Sequence, residues 1–384
     1  MSQSLELEPF VFERELHEER PLTVLDTRDP AAFASWHVTP RFGVTVNLGE
    51  AELAGDPGQV RALTGDGSAL RVVCQAGIAS LRVAELLAGR GIEALSVRGG
   101  MIAWSRLLRR GAIPLAAPFS VVQFRREARG CLSYLVSAGD EAIVVDPAPS
   151  VDAYLEEAQR RGVRIVRVLD THVHADHVSG GRELAERTGA TLNLSAAALE
   201  RGIRYADRVE PVTDGDTLAL ADATVTVVAL PGHTSDMVGL QLGNLALLAG
   251  DSLFVDSVAR PDLERGDEGA AESARRLYRT LHGRIGSLGD GTLLLPSHYP
   301  GGHCERPIAA ALGTVWREVP ELWLGEDAFV SRVLAEVPPK PANFGSIIEV
   351  NLGADVEADT AARLEIGANN CAARGSWALA SAAS

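Results

Sequence analysis

The apolar run from Arg164 to Leu169 is followed closely by Thr171-His172-Val173-His174-Ala175-Asp176-His177, which crowds three imidazoles and a carboxylate behind one predicted strand. Two further histidines follow other predicted strands, His233 in Pro231-Gly232-His233-Thr234 and His298 in Pro296-Ser297-His298, with Gly250-Asp251-Ser252 between them. Imidazole and carboxylate are ligands for divalent first-row metals, and a chelating site needs several of them converging from separate loops. Strand-end loops deliver that convergence on a rigid scaffold. That requirement limits the fold more than any other feature. His17, His37, His282 and His303 have no such setting and read as solvated or core residues.

The chain before this region has a different rhythm. Residues 21–28, Ala69–Val73 and Ala94–Val97 read as strands, and Ser80–Ala88 places Leu81, Ala84, Leu87 and Ala88 on one helix face. Strands alternating with helices imply a parallel sheet covered by helices. Pro114–Pro118 reads as a linker closing this module, so residues 1–115 are expected to form one domain. Beyond it, Cys131–Val136 and Glu141–Asp146 read as a hairpin, Val151–Arg161 as a helix, and Thr191–Leu194, Thr217–Leu220, Thr224–Leu230, Val238–Leu242, Leu245–Ala249 and Thr292–Leu295 as strands, with Ser273–Arg284 helical. Mixed hairpins and helices point to a layered α/β domain over 119–330. Residues 331–384 read as an extension packed on that domain, ending in a disordered Ala/Ser tail.

Composition removes several classes of function. With 36 Lys and Arg against 51 Asp and Glu the formal charge is −15, and no basic block is present, which argues against nucleic-acid and anionic-membrane partners. No apolar run approaches the roughly 20 residues of a membrane-spanning helix. The four cysteines, Cys74, Cys131, Cys304 and Cys371, lie far apart with no CxxC spacing, as expected of a reduced, cytoplasmic protein.

The ordered set His-x-His-x-Asp-His, His, Asp, His resembles the metallo-β-lactamase superfamily over about Phe119 to Val330. The resemblance implies an αββα sandwich with the metal site at one edge. Two branches carry the full set. Glyoxalase II-like thioesterases would use all seven residues to hold two zinc-like ions bridged by Asp251, activating water for hydrolysis. Persulfide dioxygenases are the closer likeness, on Ala259-Arg260-Pro261-Asp262-Leu263, Cys131-Leu132-Ser133-Tyr134-Leu135, Pro339-Lys340-Pro341 and Gly367-Ala368-Asn369-Asn370-Cys371. That likeness implies one Fe(2+) per chain on His172, His233 and Asp251, an arrangement of two histidines and a carboxylate with open positions. His174, Asp176, His177 and His298 would then orient the ligands or bind water, and Arg260 would contact substrate.

A third resemblance covers residues 8–112. Cys74-Gln75-Ala76-Gly77-Ile78-Ala79-Ser80, Asp26-Thr27-Arg28 and Val97 to Trp104 resemble a single-domain rhodanese, which implies sulfurtransfer with Cys74 as the persulfide carrier. Sulfur at a helix N-terminus meets unpaired N–H groups and the positive end of the dipole, which receive negative charge. The loop lacks the basic residue many such enzymes carry between Cys74 and Ser80. The combined expectation is an iron enzyme oxidising a low-molecular-weight thiol persulfide, such as glutathione persulfide, with O2 to sulfite and thiol. Its partners are that persulfide, O2 and a sulfur-donating protein or thiol, and a homo-oligomer is left open.

Overall fold

The computed structural model describes residues 4–55, 60, 68–302, 304–341, 343–367 and 370–373. The chain forms two compact units, the first reaching Leu107 and the second running from Leu108 to Glu365 and including 370–373. No helix among the described residues is long and apolar enough to cross a membrane. The Ala/Ser tail lies outside the described residues.

The first unit is a five-stranded sheet of β1 (Glu6–Leu7), β2 (Leu22–Asp26), β3 (Gly43–Asn47), β4 (Ala69–Val73) and β5 (Leu95–Val97), ordered β1-β5-β4-β2-β3. Every pairing is parallel. Burial on both faces explains why β2 is inaccessible along its whole length. Leu25, Leu70 and Val72 pack on Leu53, Val83 and Leu87 from the helices Glu50–Gly55 and Ile78–Ala88. Phe12 and Trp104, from the helices Pro9–His17 and Gly100–Ser105, meet edge to face.

The second unit opens earlier than the sequence indicates. Arg109–Ile113 (β6) does not belong to the first module, because it pairs antiparallel with Ser120–Arg126 (β7). The proline stretch 114–118 therefore joins two strands of one sheet rather than linking modules. The sheet continues through β8 (Cys131–Ala138), β9 (Glu141–Val145), β10 (Arg164–Leu169), β11 (Thr191–Ser195) and β12 (Val209–Val212), seven strands in order β12 to β6. Strands β6 to β9 pair antiparallel and β9 to β12 parallel.

A six-stranded sheet faces it, made of β13 (Thr217–Leu220), β14 (Ala223–Ala229), β15 (Val238–Leu242), β16 (Ala246–Gly250), β17 (Leu293–Pro296) and β18 (Ala310–Ala311). Alternation along each strand divides the core. Tyr134 and Val136 of β8 turn inward to meet Val227, Leu240 and Leu248, whereas Leu135 turns outward to Tyr154 and Leu184 of two covering helices. The outer face of the second sheet is sealed by Leu277, Val315 and Phe329 from the helices Gly266–Arg279, Leu312–Glu318 and Glu326–Ala335. The result is an αββα sandwich. The extension is folded as well, with helices Phe344–Asn351 and Ala358–Leu364.

Candidate metal centre

The segments leaving β9, β10, β14, β16 and β17 meet at one edge of the sandwich. Three backbone bonds tie that edge together: Leu132 N–H to Ser297 O (2.7 Å), Tyr299 N–H to Gly130 O (3.0 Å) and Val238 N–H to Thr171 O (2.8 Å). All seven residues named from the sequence, His172, His174, Asp176, His177, His233, Asp251 and His298, are buried there. They separate into distinct groups.

His172, His233 and Asp251 form the first. Nε2 of His172 and Nε2 of His233 lie 3.9 and 3.5 Å from Asp251 Oδ2. His172 Nε2 and Asp251 Oδ2 are buried without a hydrogen-bond partner, an arrangement that is costly unless something else occupies the space between them. The opposite ring atoms are spoken for. His233 Nδ1–H donates to the Arg260 carbonyl at 2.6 Å. Thr171 Oγ1 donates to Asp146 Oδ2 at 3.0 Å, so its lone pair accepts from His172 Nδ1–H at 3.0 Å. Both tautomers thus leave Nε2 bare. Burial, reinforced for His172 by the neighbouring His174, holds both rings below the usual histidine range and keeps them neutral. Two neutral imidazoles and a carboxylate with unpaired atoms facing one point suit a divalent metal.

His298 belongs to a second group. Its Nδ1 sits 2.5 Å from Asp251 Oδ1 and its Nε2 2.9 Å from Asp176 Oδ2. Burial opposes charge on this ring, but the flanking carboxylates, Asp251 foremost, push its pKa well up, so it carries both protons. Asp176 also takes His177 Nδ1 at 3.1 Å and the Cys131 thiol at 3.3 Å. Burial alone would raise Asp176, yet His177 and His298 hold it well below the usual carboxylate range. Ligand atoms of Cys131, Asp176, His177 and His298 lie within 4.8 Å of one another.

His174 joins neither group, although its ring centroid lies 4.2 Å from those of both His172 and His177 and its Nδ1 is buried without a hydrogen-bond partner. Its Nε2–H donates to Asp146 Oδ1 at 3.2 Å, within a cluster that also includes Asp170. Arg260 is not the open substrate contact that the sequence indicates. It is fully buried, with Nε and Nη2 on Asp262 at 2.8 and 2.9 Å and Nη1 on the carbonyls of Pro339 and Asn370. Its part in the site is its own carbonyl, which fixes His233.

Four contributors escaped the sequence reading. Asp146 could have been found, since it is an acid at the end of a strand, ahead of Pro147. Thr171, Cys131 and Cys371 carry no such signal. Cys371 reaches Asp251 and His298 because residues 371–373 run beside 258–260, with Arg260 N–H on Cys371 O at 3.1 Å and Ala373 N–H on Val258 O at 3.0 Å. Burial pushes its thiol well up, so it stays protonated.

In the first unit Cys74 is buried at the N-terminus of Ile78–Ala88, its Sγ accepting from Gly77 N–H at 3.1 Å and lying 3.2 Å from Ser80 Oγ. Gly100 has φ +58°, and a Cβ there would lie 2.2 Å from Cys74 O, so only glycine permits this close approach.

The αββα sandwich and its edge of histidines and acids define the second unit as a metallo-β-lactamase domain, and residues 126–298 match the family described as the metallo-beta-lactamase superfamily. Proteins of two named activities are among its relatives. The human protein named persulfide dioxygenase ETHE1, mitochondrial, is 28% identical over 279 residues, covering 70% of this chain and 95% of the relative. A hydroxyacylglutathione hydrolase of Synechococcus sp. is 32% identical over 185 residues, covering 46% of this chain and 66% of the relative. The crystal structure of ETHE1 from Myxococcus xanthus superposes with a TM-score of 0.51 at 25% identity, covering 64% of this chain and 98% of that one. A metallo-beta-lactamase from Staphylococcus aureus shares the fold, with a TM-score of 0.57 at 24% identity over 62% of this chain and 75% of that one.

Proposed function

We propose that the second unit is a persulfide dioxygenase holding one iron(II) per chain on His172, His233 and Asp251. The observation that carries this reading is the convergence of His172 Nε2, His233 Nε2 and Asp251 Oδ2, with no hydrogen-bond partner for the first and third. Two histidines and one carboxylate leave positions open for a substrate sulfur and dioxygen, which is the chemistry iron(II) would supply here. The overall change is one persulfide, one O2 and one water to one thiol, one sulfite and two protons.

The protein's own groups set the conditions for it. Thr171 and the Arg260 carbonyl lock the two imidazoles with Nε2 exposed to the centre. His298 holds a proton at Nδ1 against Asp251 Oδ1, which leaves Oδ2 of that carboxylate as the free donor. Burial of all three ligands excludes water from their carbon frame and fixes their rotamers.

We further propose that the first unit is a rhodanese-like sulfurtransferase, with Cys74 as the sulfur acceptor. Gly77 N–H and the Ser80 hydroxyl at its sulfur support that role, as does the absence of a basic residue in the loop for a donor other than thiosulfate. Sulfur would pass between the Cys74 persulfide and the small thiol whose persulfide the second unit oxidises.

A second reading, thioester hydrolysis on two zinc-like ions, draws on the cluster of Cys131, Asp176, His177 and His298. The dioxygenase relative aligns along 95% of its length and the Synechococcus hydrolase along 66%, which favours the first. Metal analysis of the full chain separates the two. One iron per chain is the expected result, and two zinc-like ions per chain with thioester cleavage would overturn it.

A further inference from the structure

The segment from Asp170 to Gly180 carries His172, His174, Asp176 and His177 yet contains no helix or strand. Its buried backbone groups need partners from outside. A single side chain in the C-terminal extension supplies three of them. Asn351, the last residue of Phe344–Asn351, donates from Nδ2 to His174 O at 2.9 Å and to His177 O at 2.8 Å, and its Oδ1 accepts from Ser179 N–H at 2.9 Å. Glu365 accepts Val178 N–H at 2.7 Å, and Arg129 donates to Asp176 O at 2.6 Å. Between them, the carbonyls of 174, 176 and 177 and the amides of 178 and 179 are all satisfied.

Asn351 is itself fixed independently of the segment it grips. Tyr205 Oη donates to Asn351 O, and Arg204 N–H to Leu352 O, each at 2.9 Å. Ile348 and Leu352 of the same stretch pack on Leu194, Ala198 and Ile203, which lie outside that segment. A primary amide offers two donors and an acceptor in one plane, which matches two carbonyls and one N–H. A carboxylate there would lack both donors.

We propose that Asn351 is a positioning residue for the metal centre: it pins the backbone on both sides of Asp176 and so fixes the segment that begins at His172. The inference rests on the metal reading of His172, His233 and Asp251. With it, the extension becomes part of the site rather than an appendage.

Asn351→Asp and Asn351→Ser in the full, metal-free chain test this, with Glu349→Ala as the control, because Glu349 is an exposed partner of Arg204 on the same helix. Two quantities are read: Co2+ affinity by chelator competition, and hydrogen exchange of peptides across the second unit. The expected result is Co2+ affinity weakened about 10–100-fold in both Asn351 variants. Exchange should accelerate in 174–179 while the inter-sheet strands keep their protection, and Glu349→Ala should behave as wild type. Affinity unchanged in the Asn351 variants, or exchange raised evenly over the unit, overturns the proposal alone. Failure of the wild-type chain to bind Co2+ overturns the metal reading and the proposal with it.

Discussion

At the scale of single residues, the partners of the buried histidines predict what the loss of each will do. His172, His233 and Asp251 face one another, with His172 Nε2 and Asp251 Oδ2 lacking a hydrogen-bond partner, whereas His298 is held between two carboxylates. His233→Ala should therefore abolish metal binding. His298→Ala should keep one metal per chain with affinity or activity reduced about 10–100-fold, as expected when a group behind the ligands is lost. Equal loss of metal in both variants, measured by elemental analysis, would contradict the division. His174 gives a pH signature. Burial favours its neutral ring, but Asp146 and Asp170 overcome this and its pKa stands at about 9. The folded chain binds that proton more tightly than the unfolded one, so the contribution is complete below pH 6.5 and is lost as pH rises through about 9. The metal-free chain should melt at progressively lower temperature across that window, and His174→Gln should flatten the decline; an unchanged slope would remove His174 as its source. The histidines and acids were legible because their spacing is itself a signal. Thr171 and Asn351 were not, since one acts through its neighbour's far ring atom and the other grips backbone from 172 residues or more along the chain (351 − 179).

At the scale of elements, strand ends rather than strand interiors build the site. Strands β10, β14, β16 and β17 were visible as apolar runs, and the histidines and acids after them marked the edge to which they point. Strands β6 and β7 were missed: Arg109, Arg110, Arg125 and Arg126 break their apolar pattern, and only the antiparallel partner reveals them. Prolines at 338, 339 and 341 hid the helices that follow, although they only precede the helix that holds Asn351. Gly250 shows how tightly an element end is fitted. Its φ is +54°, and a Cβ there would stand 2.7 Å from Met237 Sδ and 3.0 Å from Thr171 Oγ1. Gly250→Ala should destabilise the chain by about 2 kcal/mol or more through backbone strain and crowding. It should also disturb the Thr171 bond to His172. A denaturation midpoint equal to wild type would show that the turn has more room than this packing allows.

At the scale of the molecule, an acidic chain with a charge of −15 must receive anionic substrates through local charge. Arg260 cannot serve, because its guanidinium is committed to Asp262 and two carbonyls, so under the proposed function the positive charge would come from the metal, with the protonated His298 beside Asp251. The two units make separable predictions. Cys74→Ser should abolish sulfurtransfer while oxidation of supplied persulfide continues; loss of both would mean the second unit depends on sulfur delivered through Cys74. Oxygen consumption by the iron-loaded full chain given glutathione persulfide, with sulfite quantified, tests the proposed iron site. Oxygen uptake with sulfite formed in equal amount is expected, both lost in His233→Ala. Absence of oxygen uptake by protein that holds one iron per chain would contradict it.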